Sequence, residues 1–143
     1  MRVLRAIALA LLLAFGLLLV VSCQAGTPTA KPEASSDVKG YKDVTVEQAK
    51  DMLAKGGITV LDVRTPEEYA EGHIQNSKLL PLQELQQRAD TELPKDHPIV
   101  VYCQTGVRSA QASKILADLG FGEVYNTLGG FQAWKSAGGA IVK

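Results

Sequence analysis

Two short apolar runs, ITVLDV (Ile58 to Val63) and PIVVYC (Pro98 to Cys103), limit what this chain can fold into more than any other feature. Each is too short to be a helix in its own right, and each is bounded by turn residues, the pattern of a strand buried on both faces. The segments around them carry explicit helix starts and stops. TVEQAKDMLAKGG pairs Thr45 with Gln48 in a capping box and ends on Gly56, so it reads as a helix. TPEEYAEG offers Thr65 as N-cap, Pro66 in the first turn, Glu68 to complete the box and Gly72 as the stop. RSAQASKILADLGF sets Ala112, Ile115, Leu116 and Leu119 at helical spacing ahead of Gly120. A short strand around Leu79 to Leu80, a helix near Gln83 to Ala89, a strand near Glu123 to Asn126 and a last helix near Phe131 to Ser136 complete the order. Alternation of this kind predicts an α/β fold, a mainly parallel sheet with helices on both faces.

The N-terminal residues follow a different logic. Arg2 and Arg5 precede AIALALLLAFGLLLVV, an unbroken apolar run of sixteen residues from Ala6 to Val21. That is short of the roughly 20 residues of a membrane span, and no basic stop-transfer flank follows, so the run reads as a cleaved export signal. VVSC (Val20 to Cys23) resembles a bacterial lipobox, which implies a signal peptide over residues 1–22 and a lipid on Cys23. An uncleaved anchor helix with an incidental cysteine is the alternative, and either one holds the chain at a membrane. Beyond Cys23, QAGTPTAKPEASSDVKG is rich in Pro, Ser, Thr, Ala and Gly. It has almost no large apolar side chain to offset the entropy of ordering, so residues 23–40 read as a tether. Residues 41–143 remain, enough for one modest core without disulfide staples.

Charge and cysteine content narrow the function classes. The chain has 15 Lys and Arg against 15 Asp and Glu, and losing Arg2 and Arg5 with the signal leaves a formal −2. No basic stripe of the kind nucleic acid requires is present, and no like-charge run or internal repeat. With Cys23 lipidated, Cys103, the second of two cysteines, has no intramolecular partner, which excludes a disulfide scaffold. A buried, inert thiol is the bland reading of Cys103, because free cysteine is among the most buried residue types.

Position argues for more. Cys103 ends a strand just ahead of a helix, where open α/β sheets place their ligand sites. Between them lie Gln104, Thr105, Gly106 and Val107, with Arg108 and Ser109 at the helix N-terminus. Gly106 lets the backbone turn inward, so that successive amides and the helix dipole favour an anion at one centre. The Cys103 thiolate, or a sulfur or oxyanion bound to it, suits that centre, with Arg108 as a permanent charge beside it.

Four stretches taken together resemble the rhodanese-like sulfurtransferase family, in particular its small, exported, single-domain members. They are LDVRTPEEYAEGHI (Leu61 to Ile74), IVVYCQTGVRSAQAS (Ile99 to Ser113), LADLGFGEVYNTLGG (Leu116 to Gly130) and GGFQAW (Gly129 to Trp134). The resemblance implies a parallel sheet flanked by helices and a ping-pong reaction. Cys103 takes a sulfane sulfur from thiosulfate or a polysulfide, becomes a persulfide, and passes the sulfur to a thiol or cyanide. The amides of Gln104, Thr105, Gly106, Val107 and Arg108 would stabilise the sulfur, and Arg108 would help bind an anionic donor. Asp62, Arg64 and Ser109 are expected behind the site. No cofactor or metal is called for. Two departures stand out. Gln104 replaces the arginine often found after the cysteine, leaving the loop one positive charge poorer. GHIQNSKLLPL (Gly72 to Leu82) lacks the common Pro-Gly after Gly-His-Ile, although Asn76 tolerates the turn.

Other readings remain open. A non-enzymatic persulfide carrier or partner-binding module would use the same loop. A cysteine-dependent phosphatase or arsenate reductase would place five residues between cysteine and arginine, where this chain has four. Asp62 and Arg64 read more readily as a charge pair fixing the following helix than as chemical groups. His73 reads as structural rather than as a dyad partner of Cys103, and His97 as solvent-exposed; the two histidines and one thiol have no metal-ligand spacing. The Gly-Gly of LGGFQAW suggests close packing of a strand end on a helix rather than a phosphate loop. Phe131 and Trp134 then belong to the core.

Overall fold

The computed structural model describes residues 40–143. The export segment, Cys23 and nearly all of the tether lie outside the described residues. Strand β1 (Lys42–Val44) leads into helix α1 (Val46–Lys55), then β2 (Thr59–Asp62), α2 (Pro66–Glu71), β3 (His73–Ile74) and β4 (Lys78–Leu79). Helix α3 (Leu82–Glu92), β5 (Ile99–Tyr102), α4 (Val107–Asp118), β6 (Val124–Thr127), α5 (Gly130–Ser136) and β7 (Ile141–Val142) follow.

Five strands form one sheet in the order β1-β6-β5-β2-β4, and every pairing in it is parallel. The predicted α/β architecture is therefore present. From β2 the chain steps outward to β4, whereas from β5 it steps the other way, to β6. The carboxyl ends of β2 and β5 thus flank a topological switch point, the crevice where such sheets bind ligands. Asp62 pairs with Tyr102 in register across it, which brings Arg64 and Cys103, each just beyond its strand, to the same end.

Period-2 alternation in β5 divides the core. Ile99 and Val101 join Leu85, Ala89, Ala112 and Leu116 on the α3 and α4 face. Val100 and Tyr102 join Val46, Ala49, Phe131 and Trp134 on the α1 and α5 face. Side chains on a strand alternate faces, so a run buried throughout serves both layers.

The expected caps are in place. Thr45 and Gln48 form a reciprocal box on α1, as do Thr65 and Glu68 on α2, with Pro66 at its start. Asn76 takes the turn after β3 with φ +63. Three elements escaped the sequence reading: β1, and the antiparallel ribbon in which His73 faces Val142 and Ile74 faces Ile141. The Tyr102 hydroxyl anchors that ribbon by accepting from the Ile74 amide at 3.2 Å.

Candidate active site

Cys103 leaves the end of β5 buried, with 1% of its surface exposed. Gly106 sits in the left-handed region at φ +98, a conformation glycine adopts without steric cost, and this turns its amide onto Cys103 Sγ at 3.1 Å. Burial pushes the thiol up. The nearby Ser109 side chain and the amides of Ser109, Thr105 and Gly106 outweigh it, and the thiol lies below its ordinary value. A buried sulfur that accepts from an amide has its charged form favoured over that of a thiol sealed in hydrocarbon.

The loop is held from below by a second helix start. The Phe131 amide donates to the Cys103 carbonyl at 2.7 Å, and the Gln132 amide to the Gln104 carbonyl at 3.1 Å. Gly130, at φ +54, permits this approach, since an added Cβ would overlap the Cys103 carbonyl oxygen and lie 2.9 Å from the Gly106 nitrogen. The Gly-Gly of LGGFQAW thus serves close packing, and what it packs is the cysteine loop.

A model of the rhodanese-like domain matches residues 45–137. The chain belongs to the rhodanese-like family. Thiosulfate sulfurtransferase GlpE of Coxiella burnetii is 35% identical over 96 residues, which span 67% of this chain and 89% of that protein. A protein of Allochromatium vinosum named sulfurtransferase is 41% identical over 85 residues, 59% of this chain and 78% of its own length. The solved structure of a rhodanese-related protein from Thermoplasma volcanium matches with a TM-score of 0.65 at 34% identity, covering 71% of this chain and 98% of that one.

Within this rhodanese-like domain, the remaining predicted residues divide by role. Asp62 and Arg64 form a buried pair, 0% and 2% exposed, with the Arg64 Nη2 to Asp62 Oδ2 distance 2.7 Å. The same nitrogen donates to the Gly72 carbonyl at 2.8 Å, gripping the end of α2, and Nη1 reaches Gln104 Oε1 at 3.4 Å. The pair fixes α2, and it also steadies the side chain that follows Cys103. Gln104 presents its side chain to this arginine. Val107 projects into solvent at 75% exposure.

Arg108 does not stand as a free charge. Glu68 takes its guanidinium in a fork, with Nη1 to Oε2 at 2.8 Å and Nη2 to Oε1 at 2.6 Å. Arg108, burial and the Thr65 amide together set the Glu68 carboxyl, and the net result lowers it to about 2. Nothing local in the sequence announces this partnership, since Glu68 reads as a cap and lies forty residues away.

Ser109 was expected behind the site, and its own partners were not. Its Oγ donates to Asn126 Oδ1 at 2.6 Å and lies 3.1 Å from the Gly106 carbonyl, while Asn126 Nδ2 donates to Asp43 Oδ1 at 2.7 Å. His73 stacks on Tyr69 with 3.6 Å between ring centroids and places Nδ1 3.1 Å from the Tyr69 carbonyl, a structural position. His97 is exposed. Among the described residues no cluster of three or more His, Cys, Asp or Glu is placed to hold a metal ion.

Beside the loop lies a cleft of about 320 Å³ lined by Arg64, Glu68, Glu71, Gln104, Phe131 and Lys135 among others. Phe131 links the two features, because its ring forms cleft wall while its amide holds the Cys103 carbonyl.

Proposed function

We propose that this protein is a sulfurtransferase of the cell envelope that moves sulfane sulfur through Cys103. The observation that carries the reading is the Gly106 amide set 3.1 Å from the Cys103 sulfur, whose ionisation is favoured by the surrounding loop. In the first half-reaction the Cys103 thiolate attacks the outer sulfur of thiosulfate. A Cys103 S–S bond forms, the donor's S–S bond breaks, and its electron pair leaves on sulfite. A polysulfide loses its shortened chain in the same way. In the second half-reaction a thiolate or cyanide attacks the sulfur held on Cys103, and the thiolate is regenerated. Relatives named thiosulfate sulfurtransferase support the donor class. The four-residue spacing from Cys103 to Arg108, one fewer than in cysteine-dependent phosphatases, supports sulfur over phosphate.

The lipid on Cys23 belongs to this proposal and ties the domain to the outer side of a bacterial membrane. Fatty-acid labelling that disappears with Cys23→Ser tests it. Sulfur transfer is tested on the full chain carrying Cys23→Ser, which leaves Cys103 as its single thiol. Thiosulfate or polysulfide adds one sulfur by intact mass, cyanide then yields thiocyanate, and Cys103→Ser abolishes both. A chain that gains no sulfur from either donor refutes the proposal.

Burial of Cys103 favours a second reading, a carrier that shelters persulfide for a neighbouring protein. Loading followed by slow release to cyanide and small thiols marks that role.

A further inference from the structure

The two capping boxes close with the same geometry but not with the same charge. On α1 the Thr45 amide donates to Gln48 Oε1 at 2.8 Å; on α2 the Thr65 amide donates to Glu68 Oε2 at 3.0 Å. Glutamine and glutamate both complete such a box, so the cap itself needs no carboxylate. Nor does the helix dipole call for this one, because each helix has another acidic residue in its first turn, Glu47 on α1 and Glu67 on α2. The charge of Glu68 is surplus to α2, and it is spent on α4, in the fork with Arg108.

That fork acts next to the sulfur. Arg108 sits in the chain between Gly106, whose amide is 3.1 Å from Cys103 Sγ, and Ser109, whose amide also bears on the sulfur. The guanidinium and the sulfur interact through charge. Glu68 takes two of the five guanidinium N–H groups, so Arg108 keeps donors for a substrate while its charge is cancelled. Asp62 cancels Arg64 in the same manner, and Gln104 adds no charge of its own. The two arginines at this end of the sheet therefore bring N–H groups without net positive charge, a poor trap for a dianion.

We infer that Glu68 is a positioning residue that sets donor specificity: by holding Arg108 it makes the site discriminate against a doubly charged sulfur donor such as thiosulfate in favour of a singly charged one. The inference rests on the sulfurtransferase reading and deepens it. The chemistry is the same for either donor. The Cys103 thiolate attacks the sulfane sulfur, an S–S bond forms on Cys103, and the donor's S–S bond breaks. Its electron pair leaves on sulfite from thiosulfate, or on methanesulfinate from methanethiosulfonate.

The test uses the full chain with Cys23→Ser. Loading of Cys103 is followed by intact mass against thiosulfate, a dianion, and methanethiosulfonate, a monoanion that gives up its sulfur in the same way. The ratio of the two rates is read, which cancels any change in the thiolate that both donors meet. Glu68→Gln keeps the capping acceptor, as Gln48 does on α1, and uncovers Arg108. It should shift the ratio about fivefold toward thiosulfate, more at low salt, with the gain in half-saturating concentration rather than limiting rate. Arg108→Met uncovers Glu68 instead and should shift the ratio about fivefold the other way, and the double variant should return to the wild-type ratio. A ratio that stays put, or a Glu68→Gln protein that loses speed equally with both donors, marks a purely structural contact and overturns the inference while leaving the sulfurtransferase reading intact. Should Glu68→Gln fail to fold, Arg108→Met decides alone, and a ratio that does not move away from thiosulfate overturns the inference. If neither these donors nor polysulfide leave sulfur on Cys103, the sulfurtransferase reading falls and takes the donor preference with it.

Discussion

Gly130→Ala is the sharpest single perturbation the fold offers, because it acts on the loop without touching Cys103. An alanine at φ +54 enters the left-handed region at a cost of about 1 kcal/mol. Its methyl overlaps the Cys103 carbonyl oxygen and lies 2.9 Å from the Gly106 nitrogen and 3.0 Å from the Gln104 carbonyl carbon. All three obstacles are backbone, so no side-chain rotation relieves the overlap, and either the loop or α5 must move. The movement breaks the amide bonds from Phe131 to Cys103 and from Gln132 to Gln104, each worth about 1 kcal/mol net. The sum is about 3 kcal/mol, which for a domain of this size lowers the melting temperature by roughly 15 °C. Displacing Gly106 also removes its bond to Sγ, so thiolate reactivity at neutral pH should fall about tenfold as the thiol rises. Urea unfolding and the pH profile of Cys103 alkylation, both on the Cys23→Ser chain, measure the two effects. Gly120→Ala is the control. That residue has φ +85 and nothing within 4 Å of an added Cβ, so it carries the conformational cost of about 1 kcal/mol with no change in alkylation. A Gly130→Ala protein that alkylates like the wild type, or a control that shifts as far, refutes the reasoning.

Three further outcomes are expected. Asp62→Ala leaves the 2%-exposed Arg64 without its counter-charge and should destabilise by about 3–5 kcal/mol; the double variant Asp62→Leu with Arg64→Met should recover most of the loss in urea unfolding. The Glu68 carboxyl is held at about 2 against an ordinary 4.5. Its contribution is therefore full above the ordinary value and lost as pH falls through about 2, so wild type and Glu68→Gln should differ in urea midpoint at pH 6 and converge near pH 2. Ser109→Ala removes the hydroxyl that donates to Asn126 Oδ1 at 2.6 Å, leaves a buried acceptor unpaired and should destabilise by about 1–3 kcal/mol in urea unfolding, whereas Ser109→Thr keeps the donor and should recover most of the loss.

What could be read in advance was what is written locally. Both capping boxes, the stop at Gly72 and the two buried runs are decided by residues within a few positions of each other, and they are where the sequence places them. Strand β1 and the β3/β7 ribbon are not local in this sense. Each has two or three residues, too few to show alternation, and Ile74 finds Ile141 only after the rest of the chain has folded. The site divides the same way. The Cys103 to Arg108 spacing and the turn at Gly106 lie in one loop and were legible, and so was the family resemblance built on them. The Glu68 fork on Arg108 joins α2 to α4, the Asn126 support of Ser109 joins β6 to α4, and the cleft gathers α2, α5 and β7. None of these leaves a mark in a window of ten residues.

The pairing of Arg108 changes the account of why the thiol ionises. A full guanidinium charge beside the sulfur is the simplest explanation that the sequence offers, and it would act over several ångströms. Glu68 cancels much of that field at 2.6 Å, and Asp62 does the same to Arg64. Arg108 still interacts with the sulfur, but the groups that bear most directly on it are short-range: the Gly106 amide at 3.1 Å, the amides of Thr105 and Ser109, and the nearby Ser109 side chain. Dipoles of this kind lose their effect within a bond length or two, so they must be positioned rather than merely present. That requirement explains the investment in support around the loop. Two amides of α5 hold its carbonyls, Gly130 lets them come close, the Asp62–Arg64 pair steadies Gln104, and Asn126 fixes Ser109. It also reconciles burial with reactivity. A site that relied on free cations would draw in any small anion, whereas fixed dipoles favour the charged form of a sheltered sulfur without adding net charge to the loop.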